Sequence, residues 1–411
     1  MTRKYDRVIV GGGLAGLMSA LVAATEKKKV ALLMKGVGSI AIASGAIDLY
    51  GKGVGKLDPF KTIKLLPKNH PYSIVGIENI INAIKYFEET TARYGYPYKS
   101  ICGRNSFIPT PVGWLKPVHL IPSTMDATRL ISETNIAIVG VEGLKDFSPT
   151  LIHSGMLKQM AYADKQFLTA MMPNPFNTGR DTTSLDLARY VDTIDGMQWL
   201  NKSLRAVISG YKVAIIPPIL GTEPSRYIPD ALMESVGIYL HEMPTLPPSV
   251  HGMRLQKLLM SQLNALGVDV IENADVCRAD VSGGVCEAIY TAAPDVERAY
   301  HAERFIIATG GFLGGGLKAG VNGVSESIFG LTIDAPENIE DWSNPNMLSS
   351  GHNFASMGIR VNEVLQAVDS TNKPILSNVH FVGRTIGGYD FASELSGGGV
   401  ALATAYTAGR L

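Results

Sequence analysis

Residues Arg7 to Gly16 read R-V-I-V-G-G-G-L-A-G, a short β-branched run that drops into three consecutive glycines, and the alanine-rich stretch L-M-S-A-L-V-A-A follows. Val8, Ile9 and Val10 suit a buried parallel strand, and Leu14 to Ala24 suits the crossover helix. Between them, Gly11 permits the tight turn, Gly13 lets the backbone approach a pyrophosphate, and Gly16 lets the helix pack close to the strand. Gly12, Leu14 and Ala15 complete a turn whose amides offer an anion the positive end of the helix dipole. This is a dinucleotide-binding turn, and it points to a flavin or nicotinamide enzyme. Val30 to Met34 reads as a second buried strand, which closes a β-α-β unit. Such units normally end that strand with an Asp or Glu on the adenosine ribose, whereas Met34, Lys35 and Gly36 stand here. Either backbone groups near Lys35 hold an adenosine, or the cofactor has none.

The chain's 411 residues, 46% of them hydrophobic, are enough for two or three domains with a sizeable core. Lys and Arg total 37, as do Asp and Glu, so no overall field draws nucleic acid or an anionic membrane. Cys102, Cys277 and Cys286 are too scattered for a disulfide framework, which fits a reducing cytoplasm. The charged N-terminus runs directly into a strand without the pattern of a secretion signal. Apolar runs such as Val213 to Leu220 fall well short of the ~20 residues a membrane helix needs. Membrane association is therefore expected only through a partner. His and Cys show no ligand spacing, so no metal site is expected.

Ser39 to Tyr50, with Ser44 and Gly45 interrupting an apolar line, suits either a segment running edge-on past a flat ring or a small-residue packing turn. From about Pro59 to Pro248 the chain grows richer in Pro, Tyr and Asn and loses its α/β alternation, which reads as an inserted α+β cap. The rhythm then resumes. Arg254 to Gly267 has the apolar spacing of a helix, Val268 to Ile271 of a strand, and 275–280 with 285–291 of a hairpin that carries Val276. Arg304 to Gly311 is a buried strand that ends in a second glycine turn at Thr309, Gly310 and Gly311. A third turn, Gly397, Gly398, Gly399 and Val400, opens the last helix with amides able to meet the pyrimidine end of a flavin. The expected fold is a Rossmann-like flavoprotein domain assembled from residues 1–70 and 246–411, with a cap at 71–245.

These residues resemble the B subunit of the anaerobic glycerol-3-phosphate dehydrogenase family. The resemblance is carried by V-I-V-G-G-G-L-A-G (8–16), A-S-G-A-I-D-L (43–49), I-P-T-P-V-G-W-L-K-P (108–117), L-P-P-S-V-H-G-M-R-L (246–255), A-T-G-G-F-L-G-G-G-L (308–317) and G-G-Y-D with S-G-G-G-V-A (387–401). It implies a flavoprotein with FMN as cofactor and FAD as the alternative. Its implied partners are the family's homologous, catalytic A subunit, together with the iron-sulfur, membrane-anchoring C subunit. The implied reaction oxidises sn-glycerol 3-phosphate to dihydroxyacetone phosphate and passes electrons to quinone. The implied location is the inner face of the membrane, reached through a partner. The family has Pro before Gly-x-Arg-Leu where this chain has His251, so His251 does not inherit a base role. No His lies between Lys35 and Leu65, where related fumarate reductases attach flavin, which predicts non-covalent binding.

The reaction needs a general base, a cation for the phosphate and a positive or amide environment for the reduced flavin. Arg254 and Arg384 are the leading cations, ahead of Arg180 and Arg226. His119, His251, His352 and His380 lie in or beside the motifs, but no spacing selects one as base. Two other roles stay open: an electron-relay partner of a catalytic homologue, and a fumarate-reductase-like flavin reductase.

Overall fold

The computed structural model describes residues 4–176, 181–292, 297–321, 323–346 and 351–411. The chain divides into two compact units, one of residues up to Ser39 with Asp48–Phe87 and Leu259–Leu411, the other of Ile40–Ile47 and Glu88–Leu258. The insertion thus runs from 88 to 258 instead of the expected 71 to 245, and it also claims 40–47.

In the first unit the strand Lys4–Val10 lies parallel between Val30–Met34 and Arg298–Ile307, with Ile9 opposite both Leu32 and Ile306. Val8 and Ile9 have no exposed surface, as the unbroken apolar run anticipates for a strand covered on both faces. Asp269–Glu272 and Val379–Phe381 extend this sheet in parallel, and the hairpin of Asp275–Ser282 and Val285–Ala292 pairs antiparallel with the start of the 298–307 strand. The helix Leu14–Thr25 is buried from Ala15 through Ala24, which explains its lack of a polar face. One cover is the last helix, Gly397–Gly409, where a Cβ on Gly409 would stand 2.7 Å from the Val22 Cβ.

Within the expected α+β cap, the second unit carries a parallel sheet that the sequence pattern does not indicate. Asn135–Val141, Gln166–Met172, Val213–Ile216 and Tyr239–Glu242 form a sheet of four parallel strands among the described residues, joined by helices such as Pro149–Met156, Ile194–Val207 and Tyr227–Val236. Its core includes Ile136, Ile138, Ile215, Leu200 and Leu232. The α/β alternation persists from Asn135 to Glu242, whereas 98–122 holds only the antiparallel pairs Tyr98–Lys99 with Ile121–Pro122 and Ser106–Pro109 with Leu115–Val118. Strands 135–141, 213–216 and 239–242 are short and almost wholly buried, so they carry no period of two, while Gln166–Met172 is a largely half-exposed edge strand, and the Pro- and Tyr-rich connections hide their spacing.

A small antiparallel sheet in the first unit, Leu317–Gly320, Gly323–Glu326 and Thr332–Ile333, buries the Glu326 carboxyl. Its Oε2 accepts from the Ile328 and Phe329 amides at 3.0 and 2.7 Å, while Oε1 is buried with no hydrogen-bond partner among the described residues. Burial raises this carboxyl to about 7. The folded state therefore holds the proton more tightly than the unfolded chain. The contribution is full below the unfolded value near 4.5 and is lost as pH rises through about 7. We expect Glu326→Gln to match the parent's stability at about pH 4 and exceed it by up to about 3 kcal/mol at about pH 8. Denaturant unfolding at both pH values checks this, and a parallel loss in parent and variant would refute it.

Candidate functional site

The sheet register brings several chain turns to one edge. Val10 stands level with Leu33 and Ile307, and Ile307 with Phe381, so 11–13, 35–36, 308–311 and 382–384 all leave the carboxyl ends of parallel strands. In open α/β sheets this edge is where ligands bind.

Gly11 donates to Leu33 O at 2.8 Å and has φ +120°, and a Cβ there would lie 2.3 Å from Ala308 O. A Cβ on Gly16 would lie 1.8 Å from Gly11 O. The helix can thus seat on the turn only without a side chain at these two positions. Gly12 is confined by Met34 and Gly36 O. Gly13, the residue preceding the helix, is different: a Cβ there would meet nothing within 4 Å. No side chain caps this helix and no acidic residue occupies its first turn. The amides of Leu14 and Ala15 therefore have neither an intrahelical acceptor nor a compensating carboxylate, a donor set that fits a phosphate.

Beside this turn, Lys35 Nζ pairs with Asp275 Oδ2 at 2.8 Å, both side chains being well exposed, and Met34 O accepts from the Ala274 amide at 2.9 Å. Asp275 leads directly into half-buried Val276. A carboxylate does therefore stand beside the end of the second strand, brought there by a different strand, with Glu272 in register with Met34 as another nearby acid. Sequence spacing could not reveal it because the two ends of the pair lie far apart in the chain.

At the second turn the Thr309 hydroxyl is buried with no partner among the described residues, and the Gly310 amide is committed to Thr385 Oγ1 at 3.0 Å. A Cβ on Gly311 would touch the Arg384 side chain at 3.3 Å. Arg384 does lie beside this turn, but its guanidinium donates to the carbonyls of Met357, Ala355 and Phe354 at 2.9, 2.6 and 3.4 Å. Burial lowers its pKa.

The third turn needs a correction. Gly399 donates to Asp48 O at 2.7 Å and Val400 to Ser396 O at 3.0 Å, so of the four residues assigned there only Gly397 and Gly398 keep amides for a ligand. Gly399 is required by packing, since its Cβ would stand 2.2 Å from the Tyr72 hydroxyl. A cluster that the sequence did not single out holds this turn. His70 Nδ1 accepts from the Tyr72 amide at 3.1 Å, its Nε2 lies 3.1 Å from Glu394 Oε2, and Glu394 also accepts from Ser396 Oγ at 3.0 Å. Tyr389 packs edge-on against His70 with its hydroxyl buried and unpartnered among the described residues.

Ser44, Gly45 and Arg254 belong to the second unit. Gly45 has φ +83°, and its Cβ would lie 2.2 Å from the His251 Cβ. A Cβ on Gly252 would lie 2.0 Å from Ile40 O, and Ser249 donates to Ala41 O at 2.9 Å. The 43–49 and 246–255 segments are therefore packed backbone to backbone. His119, 2% exposed, donates its amide to Ile47 O, its Nδ1 lies 3.2 Å from Asn105 Oδ1, and burial lowers its pKa to about 4.

Arg254 does not have the expected free cation. Nε and Nη2 donate to Gly221 O at 2.9 and 2.6 Å, Nη2 and Nη1 to Glu242 Oε1 and Oε2 at 2.9 and 2.5 Å, and Nη1 to the Tyr96 hydroxyl at 3.4 Å. All five guanidinium hydrogens are spent inside the unit. Burial alone would raise the Glu242 carboxyl, but the Arg254 charge and its bonds hold it well below the usual range. His251 Nε2 lies 3.3 Å from Glu242 but off hydrogen-bonding geometry, and burial lowers its pKa. Arg226 is exposed and pairs with Asp230 on its own helix. Arg180 lies outside the described residues. His380 Nδ1 lies 2.7 Å from Val364 O, and His352 Nδ1 accepts from the Asn344 amide.

The family described as FAD binding domain matches residues 6–400, and the chain belongs to it. Relatives over the full length carry the name implied by the motifs. A protein of Halobacterium salinarum, named as the probable B subunit of anaerobic glycerol-3-phosphate dehydrogenase, is 29% identical across 100% of this chain and 98% of its own. The B subunit of the Actinobacillus pleuropneumoniae anaerobic glycerol-3-phosphate dehydrogenase is 27% identical across 98% and 97%. Among solved structures, the 3-ketosteroid delta1-dehydrogenase of Sterolibacterium denitrificans is 11% identical, with TM-score 0.47, over 100% of this chain and 99% of that one. The chain is a flavoprotein. The family match favours FAD over the FMN implied by the resemblance.

The two glycines of the first turn should separate by experiment. Gly16→Ala is expected to destabilise the apoprotein by about 3 kcal/mol or more through its clash with a backbone carbonyl. Gly13→Ala should leave apoprotein stability within about 1 kcal/mol, yet weaken flavin binding by roughly tenfold or more. Unfolding of the apoprotein with flavin titration checks both, and equal effects of the two variants would contradict the assignment. Arg254→Ala, which strands a buried carboxylate, should lower stability by about 3–5 kcal/mol. A variant of parental stability that merely binds substrate less tightly would return Arg254 to the list of ligand cations.

Proposed function

We propose that this chain is the flavoprotein subunit of an assembly that oxidises sn-glycerol 3-phosphate to dihydroxyacetone phosphate and delivers the electrons to quinone. The observation that carries it is full-length similarity to glycerol-3-phosphate dehydrogenase B subunits in a chain whose uncapped helix start at Gly13 fits a cofactor phosphate. The cofactor is FAD, held non-covalently. Its phosphates lie on the Leu14 and Ala15 amides and its adenosine end lies towards Lys35, Asp275 and Val276. The Gly397 and Gly398 amides face the pyrimidine edge, where N–H donors stabilise negative charge. When bound, the flavin supplies the two-electron acceptor. A catalytic homologue and an iron-sulfur protein complete the assembly, and the iron-sulfur protein holds it at the inner face of the membrane. No helix among the described residues is long and apolar enough to cross a membrane.

One observation favours a second role within the same assembly. The hydrogens of Arg254 are all engaged by protein acceptors, and Arg384 is tied to three carbonyls. Neither is poised to take a substrate phosphate, as expected if this chain relays electrons for a catalytic homologue. Heating the purified chain should release FAD, and release of FMN would overturn the adenosine assignment. Anaerobic addition of glycerol 3-phosphate to the chain alone should bleach the visible flavin band. Bleaching only after adding the partner flavoprotein would establish the relay role, and none in either case would refute the substrate.

A further inference from the structure

The balanced overall charge conceals a local imbalance. Between Gly51 and His70, Lys52, Lys56, Lys61, Lys64 and Lys68 stand against a single acid, Asp58, and all five lysines are exposed. Lys52, Lys56, Lys64 and Lys68 have no ion-pair partner among the described residues, and Lys61 reaches Asp58 only at 3.6 Å on the surface. Interleaved with them are three large aliphatic side chains that stand out of the protein: Val54 is 78% exposed, Leu57 64% and Leu65 83%.

The backbone beneath is well anchored. A short turn at Gly53–Lys56 is followed by the helix Pro59–Ile63, whose first turn is capped by the Asp58 carboxylate accepting from the Lys61 amide. Gly55, Pro59 and Ile63 are buried, and a Cβ on Gly55 would strike the Tyr50 ring at 2.6 Å. The inner side is thus fixed against the first unit, while the outer side offers alternating ammonium and aliphatic groups.

We propose that residues 52–68 form a docking surface for an anionic lipid bilayer, by which this chain touches the membrane directly and not only through a partner. A cluster of four to eight basic residues beside apolar side chains has the composition of an interfacial lipid-binding element, in which lysines meet lipid phosphates and the aliphatic tips enter the headgroup layer. Charge complementarity selects an anionic partner. The aliphatic side chains select lipid over nucleic acid, whose bases would call for exposed aromatic platforms. A fluid surface also needs no shaped groove to receive three separate aliphatic tips. The proposal concerns this segment alone and holds or fails independently of the substrate.

The test is flotation of the full-length, flavin-loaded chain with vesicles. At about 0.1 M salt it should float with phosphatidylcholine vesicles containing about one-third phosphatidylglycerol, stay behind with phosphatidylcholine alone, and detach at about 1 M salt. Changing all five lysines to Gln should lower the partition coefficient by roughly tenfold or more, and the triple change Val54→Ser, Leu57→Ser and Leu65→Ser should lower it severalfold. Flavin content and melting temperature should stay at parental values, because every altered side chain is exposed. Failure of the parent to float, or undiminished flotation of the five-lysine variant, overturns the proposal. So does retention of the segment only by an acidic partner protein or by a single-stranded oligonucleotide.

Discussion

Two backbone contacts leave no space for a side chain, and the architecture of the first unit depends on them. Gly11 meets the carbonyl of Ala308, and Gly16 meets the carbonyl of Gly11. The first contact locks the central strand to the 298–307 strand at the level where both end, and the second seats the crossover helix directly over the turn. Because Ala308 also donates to Val10 O, the second glycine turn leaves the sheet beside the first. Convergence of these turns is thus a matter of strand register and needs no long-range recognition between loops. It aims backbone N–H groups at a common edge, and backbone donors keep their direction without rotamer freedom, which suits an extended anionic cofactor.

The third turn reaches the site by other means. It hangs on the Asp48 carbonyl, on Tyr72 and on the His70–Glu394–Ser396 chain of hydrogen bonds. Both nitrogens of His70 are occupied, one accepting from a backbone amide and the other facing Glu394, so this imidazole works as a brace and not as a base. The brace joins segments that the sheet does not touch. The amides at Gly397 and Gly398 therefore depend on a side-chain polar network, where those of the first turn depend on backbone packing and backbone hydrogen bonds.

What could be read from the chain was whatever is encoded locally. The strand 30–34, the helix beginning at Leu14, the hairpin after Asp275 and the two glycine turns on the sheet follow from side-chain period and from positions that exclude a Cβ. The parallel sheet of the second unit is not legible in the sequence because strands such as 135–141 and 213–216 are buried on both faces and show no alternation. The fates of the charged residues were illegible for a different reason. Arg254 sits in a motif, but its acceptors come from Gly221, Glu242 and Tyr96. The carboxylate beside Lys35 likewise comes from residue 275. Sequence gives the residue type, whereas the tertiary fold decides whether its hydrogen bonds are left for a ligand.

A chain with 37 charges of each sign could spread them evenly, and this one does not. Arg254 is buried against Glu242 with every donor used, which makes it a fixed strut whose charge is invisible from outside. The lysines of 52–68 are the opposite case, since they are exposed, mostly unpaired and set among exposed aliphatic side chains. Burial makes a charge structural by obliging it to find a partner within the fold. Exposure without a partner leaves its field available over roughly a Debye length, about 8–10 Å at physiological salt. The lysines of 52–68 are thus a local concentration of exposed positive charge that net charge, which weighs both kinds of residue equally, cannot register.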